Sequence, residues 1–382
     1  MKIAFISTMH SYPWGGSEEL WSQTALRLCG EAHTVVASVV FRPSLSPRLA
    51  ILRQRGIQIF THSSRHHGLV GRIWHKATLG PKRDFRRPAN IRPDLVVISQ
   101  GDNNDGLACM TFCREAALPY VVIVQSNSES WWPRDDDARD LANGYRAARK
   151  VCCVSRSNLE LLERQIGEEL PNGFVVRNPY NVSSDKPSPW PAETGIWRMA
   201  CVARLDPGAK GQDLLFQVLA KRQWRERAIE VNLYGSGPCE STVRRMAEHL
   251  KLATVHFRGH VDNINGIWEQ NHLLILPSRI EGLPIALVEA MWCGRAAIVT
   301  DIAGNAELCV DGRTGFVAAA PSVGALEQTM EVAWTCRHEW QKMGNAARMR
   351  VEALIPKDPV GEFARLLITC ASTRSARTEH PK

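Results

Sequence analysis

The feature that most constrains this chain is a repeated alternation. Short runs rich in β-branched and other apolar residues occur at 3–6, 34–37, 58–61, 95–98, 121–124, 151–154 and 173–176. They recur at 199–202, 230–234, 254–257, 273–276 and 297–300, with helical patterns between them, as at 212–219, 241–250 and 285–292. Strands that alternate with helices predict parallel sheets covered on both faces. The two series are parted by 178–193, where Pro179, Pro187, Pro189 and Pro191 fall in a polar stretch that reads as a linker. The expectation is an α/β chain of two Rossmann-like domains facing across a cleft, 1–180 and 181–355. A helix over 356–371 and a frayed polar tail over 372–382 follow. In such sheets ligands bind beyond the carboxyl ends of the strands, so the loops there are the places to look for chemistry.

Composition sets the class. With 382 residues, 44% hydrophobic and 23% charged, the chain can bury a large core, which excludes wholesale disorder, a collagen-like repeat and a small stapled scaffold. Eleven cysteines, an odd number without a C-x-x-C pair, read as reduced, mostly buried thiols of a cytoplasmic protein. Neither Cys109 with Cys113 nor the adjacent Cys152 and Cys153 forms a four-ligand metal pattern. The first residues read as a strand rather than a signal peptide, and no run approaches the roughly 18 apolar residues of a membrane helix. Asn181-Val182-Ser183 fits a glycosylation acceptor and is discounted without a secretory route.

Four loops carry candidate chemistry. The first is Glu281-Gly282-Leu283-Pro284, which follows an expected strand and leads into a helix containing Glu289. Pro284 suits a first helical position, so free N–H groups and the positive dipole end would face an anion. Glu281 and Glu289 would lie about 8–12 Å apart along the axis, a spacing for two hydroxyl-bearing parts of one ligand rather than for a shared proton. The second runs from Ala203 to Gly211 and holds Arg204 and Lys210, two cations suited to phosphate oxygens. The third, Tyr234-Gly235-Ser236-Gly237-Pro238, is half a dinucleotide fingerprint, fitting a tight turn as well as close approach to a nucleotide. The fourth, Trp14-Gly15-Gly16-Ser17-Glu18-Glu19, opens a helix with Ser17 as N-cap.

Together these loops resemble the retaining glycosyltransferases of family 4, glycosyl transferases group 1, which have the GT-B fold. Phe257-Arg258-Gly259-His260-Val261 and Asp311-Gly312-Arg313-Thr314-Gly315-Phe316 belong to the same pattern. The resemblance implies a nucleotide-diphosphate sugar held by the second domain and an acceptor presented by the first. Arg204 and Lys210 would then neutralise the leaving diphosphate, Glu281 would bind donor-sugar hydroxyls and Glu289 the ribose. Gly15, Gly16, Gly235, Gly237, Val261, Gly282, Leu283 and Pro284 would line the donor. The final helix would pack back on the first domain. Neither a metal nor a separate cofactor is required, since fixed cations and a helix N-terminus can stabilise the departing phosphate.

One departure stands out. Many family members carry a histidine after the strand corresponding to 120–124; here the loop reads Gln125-Ser126-Asn127-Ser128-Glu129, followed by Trp131 and Trp132. Gln125, Asn127, Trp131 and Asp102 are the candidates for contact with acceptor or sugar, with His10 a weaker one. The tryptophans read equally well as core. Asp135-Asp136-Asp137 contains a formal D-x-D but reads as a helix start. Two other readings share the fold, a nucleotide-sugar epimerase and a non-catalytic nucleotide-sugar-binding subunit; no complete G-x-G-x-x-G supports an NAD enzyme.

The formal charge of +8 is local. From Arg42 to Arg92 there are twelve Lys/Arg and one acid, Asp84, together with His62, His66, His67 and His75, whereas the rest of the chain is slightly acidic. No nucleic-acid module accompanies the stretch. Contact with an anionic acceptor or anionic lipid headgroups fits it, as does a solvated basic loop, so the expected location is cytoplasmic with a peripheral place at the inner membrane face.

Overall fold

The structure, a computed structural model, describes residues 1–10, 12–42, 46–63, 86, 91–182 and 187–373. Two compact units divide it, Met1–Pro179 with Asp358–Lys382, and Tyr180–Lys357. The first unit runs β1 (Lys2–Ser7), α1 (Gly16–Gly30), β2 (Thr34–Val40), α2 (Pro47–Gln54), β3 (Gln58–His62), β4 (Leu95–Gln100), α3 (Leu107–Glu115), β5 (Tyr120–Val124), α4 (Asp135–Ala147), β6 (Lys150–Cys153), α5 (Arg156–Ile166) and β7 (Gly173–Val175). Its sheet has the order β3-β2-β1-β4-β5-β6-β7, with every neighbouring pair parallel. Strands such as Leu95–Gln100 and Tyr120–Val124 are buried along their whole length, which is why they read as continuous apolar runs.

The second unit runs β8 (Trp197–Val202), α6 (Pro207–Lys210), α7 (Gln212–Leu219), α8 (Arg222–Arg225), β9 (Ile229–Tyr234), α9 (Glu240–His249), β10 (Val255–Gly259), α10 (Ile264–Gln270), β11 (Leu273–Leu276), α11 (Ile285–Trp292), β12 (Ala296–Thr300), α12 (Asn305–Leu308), β13 (Gly315–Ala318), α13 (Val323–Thr335) and α14 (Trp340–Leu354). Its parallel sheet has the order β10-β9-β8-β11-β12-β13. β13 is missing from the strands expected of the sequence. Its strand character comes from pairing with β12, Ala297 opposite Gly315 through Thr300 opposite Ala318.

The last helix, α15 (Pro359–Ser372), belongs to the first unit and packs on α1. Asp358 caps it, accepting from the Gly361 amide at 2.8 Å, and takes a 2.7 Å bond from Arg27 of α1. The proline-rich stretch is fastened to the second unit rather than loose from residue 187 onward. Buried Arg295 donates to the carbonyls of Pro189, Ser188, Trp268, Asn271 and Cys293, and its guanidinium lies 5.0 Å from the Trp190 ring centre.

Two helix starts differ from the sequence expectation. α1 begins at Gly16 with Gly15, not Ser17, as its cap: Gly15 is fully extended, and its carbonyl accepts from the Glu18 amide at 2.9 Å. α11 begins at Ile285 with Pro284 as the cap residue. Asp135, Asp136 and Asp137 form the first turn of α4, where they face the positive end of the helix dipole.

The α1 start buries Glu18, which accepts from the Ser7 hydroxyl at 2.9 Å and the Trp21 indole at 2.8 Å. Burial pushes its carboxyl up from 4.5 to about 7. A raised folded-state value means stabilisation that is complete below the unfolded value and lost as pH rises through the folded one. Glu18→Gln should therefore melt progressively higher relative to the native chain as pH rises from about 5 to about 8. A melting-temperature difference that stays constant across that range would contradict the assignment.

Candidate functional site

In the second unit the strand order reverses between β8 and β11. At such a point neighbouring loops leave the sheet in opposite directions, and the carboxyl edge opens between them. The chain closes the floor of this opening with backbone. The amides of Arg279 and Ile280, after β11, donate to the Ala209 carbonyl of α6 at 2.8 and 3.1 Å. Gly211 adopts φ +68°, and a Cβ there would lie 1.9 Å from the Pro277 carbonyl oxygen. Arg279 forks onto Asp213 at 2.6 and 2.8 Å and reaches the Pro207 carbonyl at 2.7 Å.

The glycine pair after β9 has a similar cause. Gly235 sits at φ +126°, where a Cβ would come within 2.3 Å of the Ala203 carbonyl oxygen; at Gly237 the distance to the Leu205 carbonyl oxygen would be 2.5 Å. These glycines let two loops of the same edge touch, with Leu205 N donating to Ser236 O at 3.2 Å. Their first physical role is loop-to-loop packing.

On this floor stands an ion pair that spans the reversal point. Lys210 Nζ donates to Glu281 Oε1 at 2.7 Å, and the Ser278 hydroxyl donates to the same oxygen at 2.7 Å. The side chains are only 17% and 7% exposed, so the pair is weakly screened. Arg204 is a third exposed, and its Nη2 lies 3.9 Å from Asp206 Oδ2. Gly282, Leu283 and Pro284 are buried beside Glu281, and the Gly282 carbonyl accepts from Gly304 N at 2.9 Å. Val261 lies half-buried between β10 and α10. Glu289, inside α11 and buried, accepts from the backbone and side-chain amides of Asn181 at 2.9 and 3.1 Å.

The first unit reverses between β1 and β4. Asp102, after β4, shapes the local turn by accepting from Asn104 N and Asp105 N at 2.9 and 3.1 Å. Gln125 and Asn127 are buried after β5; Gln125 accepts from Asn178 at 3.0 Å and Asn127 from Ser128 N at 2.8 Å. Trp131 is half-buried and Trp132 is 59% exposed, so neither belongs to the core. Gly15 and Gly16 open α1 at the same carboxyl edge.

Sequence reasoning missed Asp105, a buried carboxyl of that edge with three donors. It accepts from the Thr8 hydroxyl after β1 and from Gly101 N and Asp102 N at 3.0 and 3.3 Å. His10 Nδ1 is 3.9 Å away. Burial, then the neighbouring charge of Asp102, pushes the Asp105 carboxyl up to about 8, against the three donors that favour its anion. The polar run Asp102-Asn103-Asn104-Asp105-Gly106 marks a strand-end turn, the only local signal available.

The basic stretch from Arg42 to Arg92 lies largely outside the described residues, as do His66, His67 and His75; His62 is buried and bonded to Ser38 at 2.9 Å. Among the described residues no three His, Cys, Asp or Glu side chains gather to hold a metal, and no helix is long and apolar enough to cross a membrane. No disulfide joins the cysteines.

Residues 197–335, most of the second unit, match the family model of glycosyl transferases group 1. Over 129 residues the chain is 29% identical to the D-rhamnosyltransferase WbpZ of Pseudomonas aeruginosa, covering 32% of this chain and 34% of that one. Over 209 residues it is 28% identical to a GDP-mannose-dependent monoacylated alpha-(1-6)-phosphatidylinositol monomannoside mannosyltransferase of Corynebacterium glutamicum, covering 51% and 54%. The chain thus spans about a third to about half the length of these curated relatives. Anabaena HepE, solved with UDP and glucose, superposes with TM-score 0.73 at 16% identity, covering 98% of this chain and all of that one. Sucrose-phosphate synthase of Thermosynechococcus elongatus does so with TM-score 0.71 at 17% identity, covering 96% and 99%. The fold is that of the GT-B glycosyltransferases, two α/β units with parallel sheets.

Two substitutions test this edge. Gly211→Ala should cost at least about 2 kcal/mol, because a Cβ would strike the Pro277 carbonyl at a positive φ, and urea unfolding should show it. Lys210→Met should cost about 1–3 kcal/mol, because it leaves the Glu281 carboxylate buried with one fewer donor. A second change, Glu281→Gln, should recover part of that loss.

Proposed function

We propose that this chain is a retaining, metal-independent glycosyltransferase that moves a sugar from a nucleotide-diphosphate sugar to a hydroxyl acceptor. The observation that carries the reading is the Lys210–Glu281 pair at the reversal point of a unit matching glycosyl transferases group 1. Breaking a glycosyl–phosphate bond releases negative charge on the diphosphate. A fixed ammonium in a poorly screened position lowers that barrier without rearranging at the moment of reaction. In this reading Glu281 holds Lys210 in place while the donor is absent. When phosphate oxygens share the ammonium, the carboxylate turns to sugar hydroxyls. Arg204 adds a second cation, and the amides at the start of α11 add the helix dipole. With protein groups supplying the positive charge, the reading assigns the reaction no metal and no separate cofactor.

The remaining assignments follow the same logic. Gly235, Gly237, Val261, Gly282, Leu283 and Pro284 shape the donor site, Glu289 meets the ribose once Asn181 yields it, and Gly15 and Gly16 approach the phosphates. Gln125, Asn127, Trp131 and Asp102 serve the acceptor. Retention follows from front-face attack within an ion pair. The GDP-mannose-dependent mannosyltransferase of Corynebacterium glutamicum and the complex of Anabaena HepE with UDP and glucose support a nucleotide-diphosphate donor and a glycan or lipid-linked acceptor in polysaccharide biosynthesis. A cytoplasmic place with peripheral contact through 42–92 suits a lipid-linked acceptor, and nucleic acid has no part in the reading.

Nucleotide release from a panel of GDP-, UDP-, TDP- and ADP-sugars, with acceptor extract, tests the activity. Lys210→Ala and Glu281→Ala should each lose about 100-fold or more in turnover while keeping the native circular dichroism spectrum. Full activity in either variant would remove the site assignment, and tight donor binding without release would make the chain a binding subunit. Cosedimentation with liposomes should rise with anionic lipid content and fall with salt; indifference to lipid charge would remove the membrane contact.

A further inference from the structure

The second unit begins at Tyr180, and its first residues lie against α11, the helix that carries Glu289. The Tyr180 ring stacks on that of Trp292, with centres 5.3 Å apart and planes 28° from parallel. Val182 is buried, whereas Asn181 between them is exposed. Glu289 and Trp292 stand three positions apart in α11, so they are neighbours on its surface. An exposed residue is thus held at a buried carboxylate, with an anchored neighbour on each side of it.

Asn181 meets Glu289 twice. Its backbone amide donates to Oε1 at 2.9 Å, and its side-chain Nδ2 donates to the same oxygen at 3.1 Å. The two bonds answer differently to a ligand. The backbone bond is kept in place by the packing of Tyr180 and Val182. The side-chain bond belongs to an exposed residue, whose amide is satisfied by water once it swings away. A ligand hydroxyl can therefore take its place on the carboxylate without leaving any polar group buried and unpaired. The glycosyl-transfer reading brings ribose to Glu289 and gives the Asn181 side chain no task of its own.

We propose that the Asn181 side chain is a built-in competitor of the nucleotide's ribose. Without ligand, Nδ2 holds the place on Glu289 that a ribose hydroxyl takes in the complex. The inference deepens the glycosyl-transfer reading and rests on its assignment of ribose to Glu289. A donor tethered beside its acceptor is present at high effective concentration, so it opposes a ligand that must first be captured from solution. Such a competitor weakens the nucleotide-sugar donor and the nucleoside diphosphate product alike. Glu289 returns to Asn181 as the product leaves, which keeps spent nucleotide from holding the site. A nucleotide without ribose hydroxyls has nothing to exchange and binds with the Asn181 bond intact.

Isothermal titration calorimetry on the full chain tests this. The probes are UDP, GDP, ADP and TDP, and the 2′,3′-dideoxy form of whichever binds the native chain most tightly. Asn181→Ala removes the side-chain donor and keeps the backbone one. It should tighten that nucleotide about fivefold or more, while affinity for the dideoxy form changes by less than about twofold. If the variant binds the nucleotide as the native chain does, or more weakly, the inference falls and the glycosyl-transfer reading stands. The same holds if the dideoxy form tightens equally, because the gain then does not come from ribose hydroxyls. If none of the four nucleotides binds the native chain, both fall.

Discussion

A parallel sheet delivers the carboxyl end of every strand to one edge, and in each sheet of this chain the strand order reverses once along that edge. The reversal is a geometric necessity of winding a chain outward in both directions from a first strand. Loops on its two sides diverge and leave room that no short connection can fill. In the first unit the place lies between β1 and β4, and in the second between β8 and β11. Ionisable side chains meet polar partners across it in both units: Lys210 with Glu281 in one, Asp105 with Thr8 in the other.

The second unit shows what keeps such an opening in shape. Its loops are joined by backbone as well as by side chains. The Arg279 and Ile280 amides meet the Ala209 carbonyl, and Gly211, Gly235 and Gly237 each sit where a Cβ would meet a carbonyl oxygen of the neighbouring loop. Backbone contacts of this kind leave little rotamer freedom, so Lys210 and Glu281 are presented from a stiff floor. That stiffness fixes where the Lys210 ammonium stands beside Glu281. Gly235 and Gly237 let neighbouring loops of this edge meet.

Distance along the chain governs how far the candidate site could be read. Arg204, Lys210, Glu281 and Glu289 were legible because each stands in a strand-to-helix loop or the first turns after it, and charge in such loops is visible locally. The bond from Glu289 to Asn181 was not, since it joins residues 108 positions apart. The exposure of Trp132 was not, because an aromatic pair reads equally as core or surface. Asp105 was passed over because nothing in an Asn- and Asp-rich turn says which carboxylate turns inward. The bond from Thr8, 97 residues away, settles that.

The sequence by itself determined the alternation of strand and helix. It follows from hydrophobic periodicity, which acts over a few residues. Only the tertiary structure decided which loops meet. Strands buried on both faces carry almost the same apolar pattern, so hydropathy does not encode their order, and the order sets the partners. Lys210 finds Glu281 across 71 residues because β8 lies beside β11, and Thr8 finds Asp105 because β1 lies beside β4.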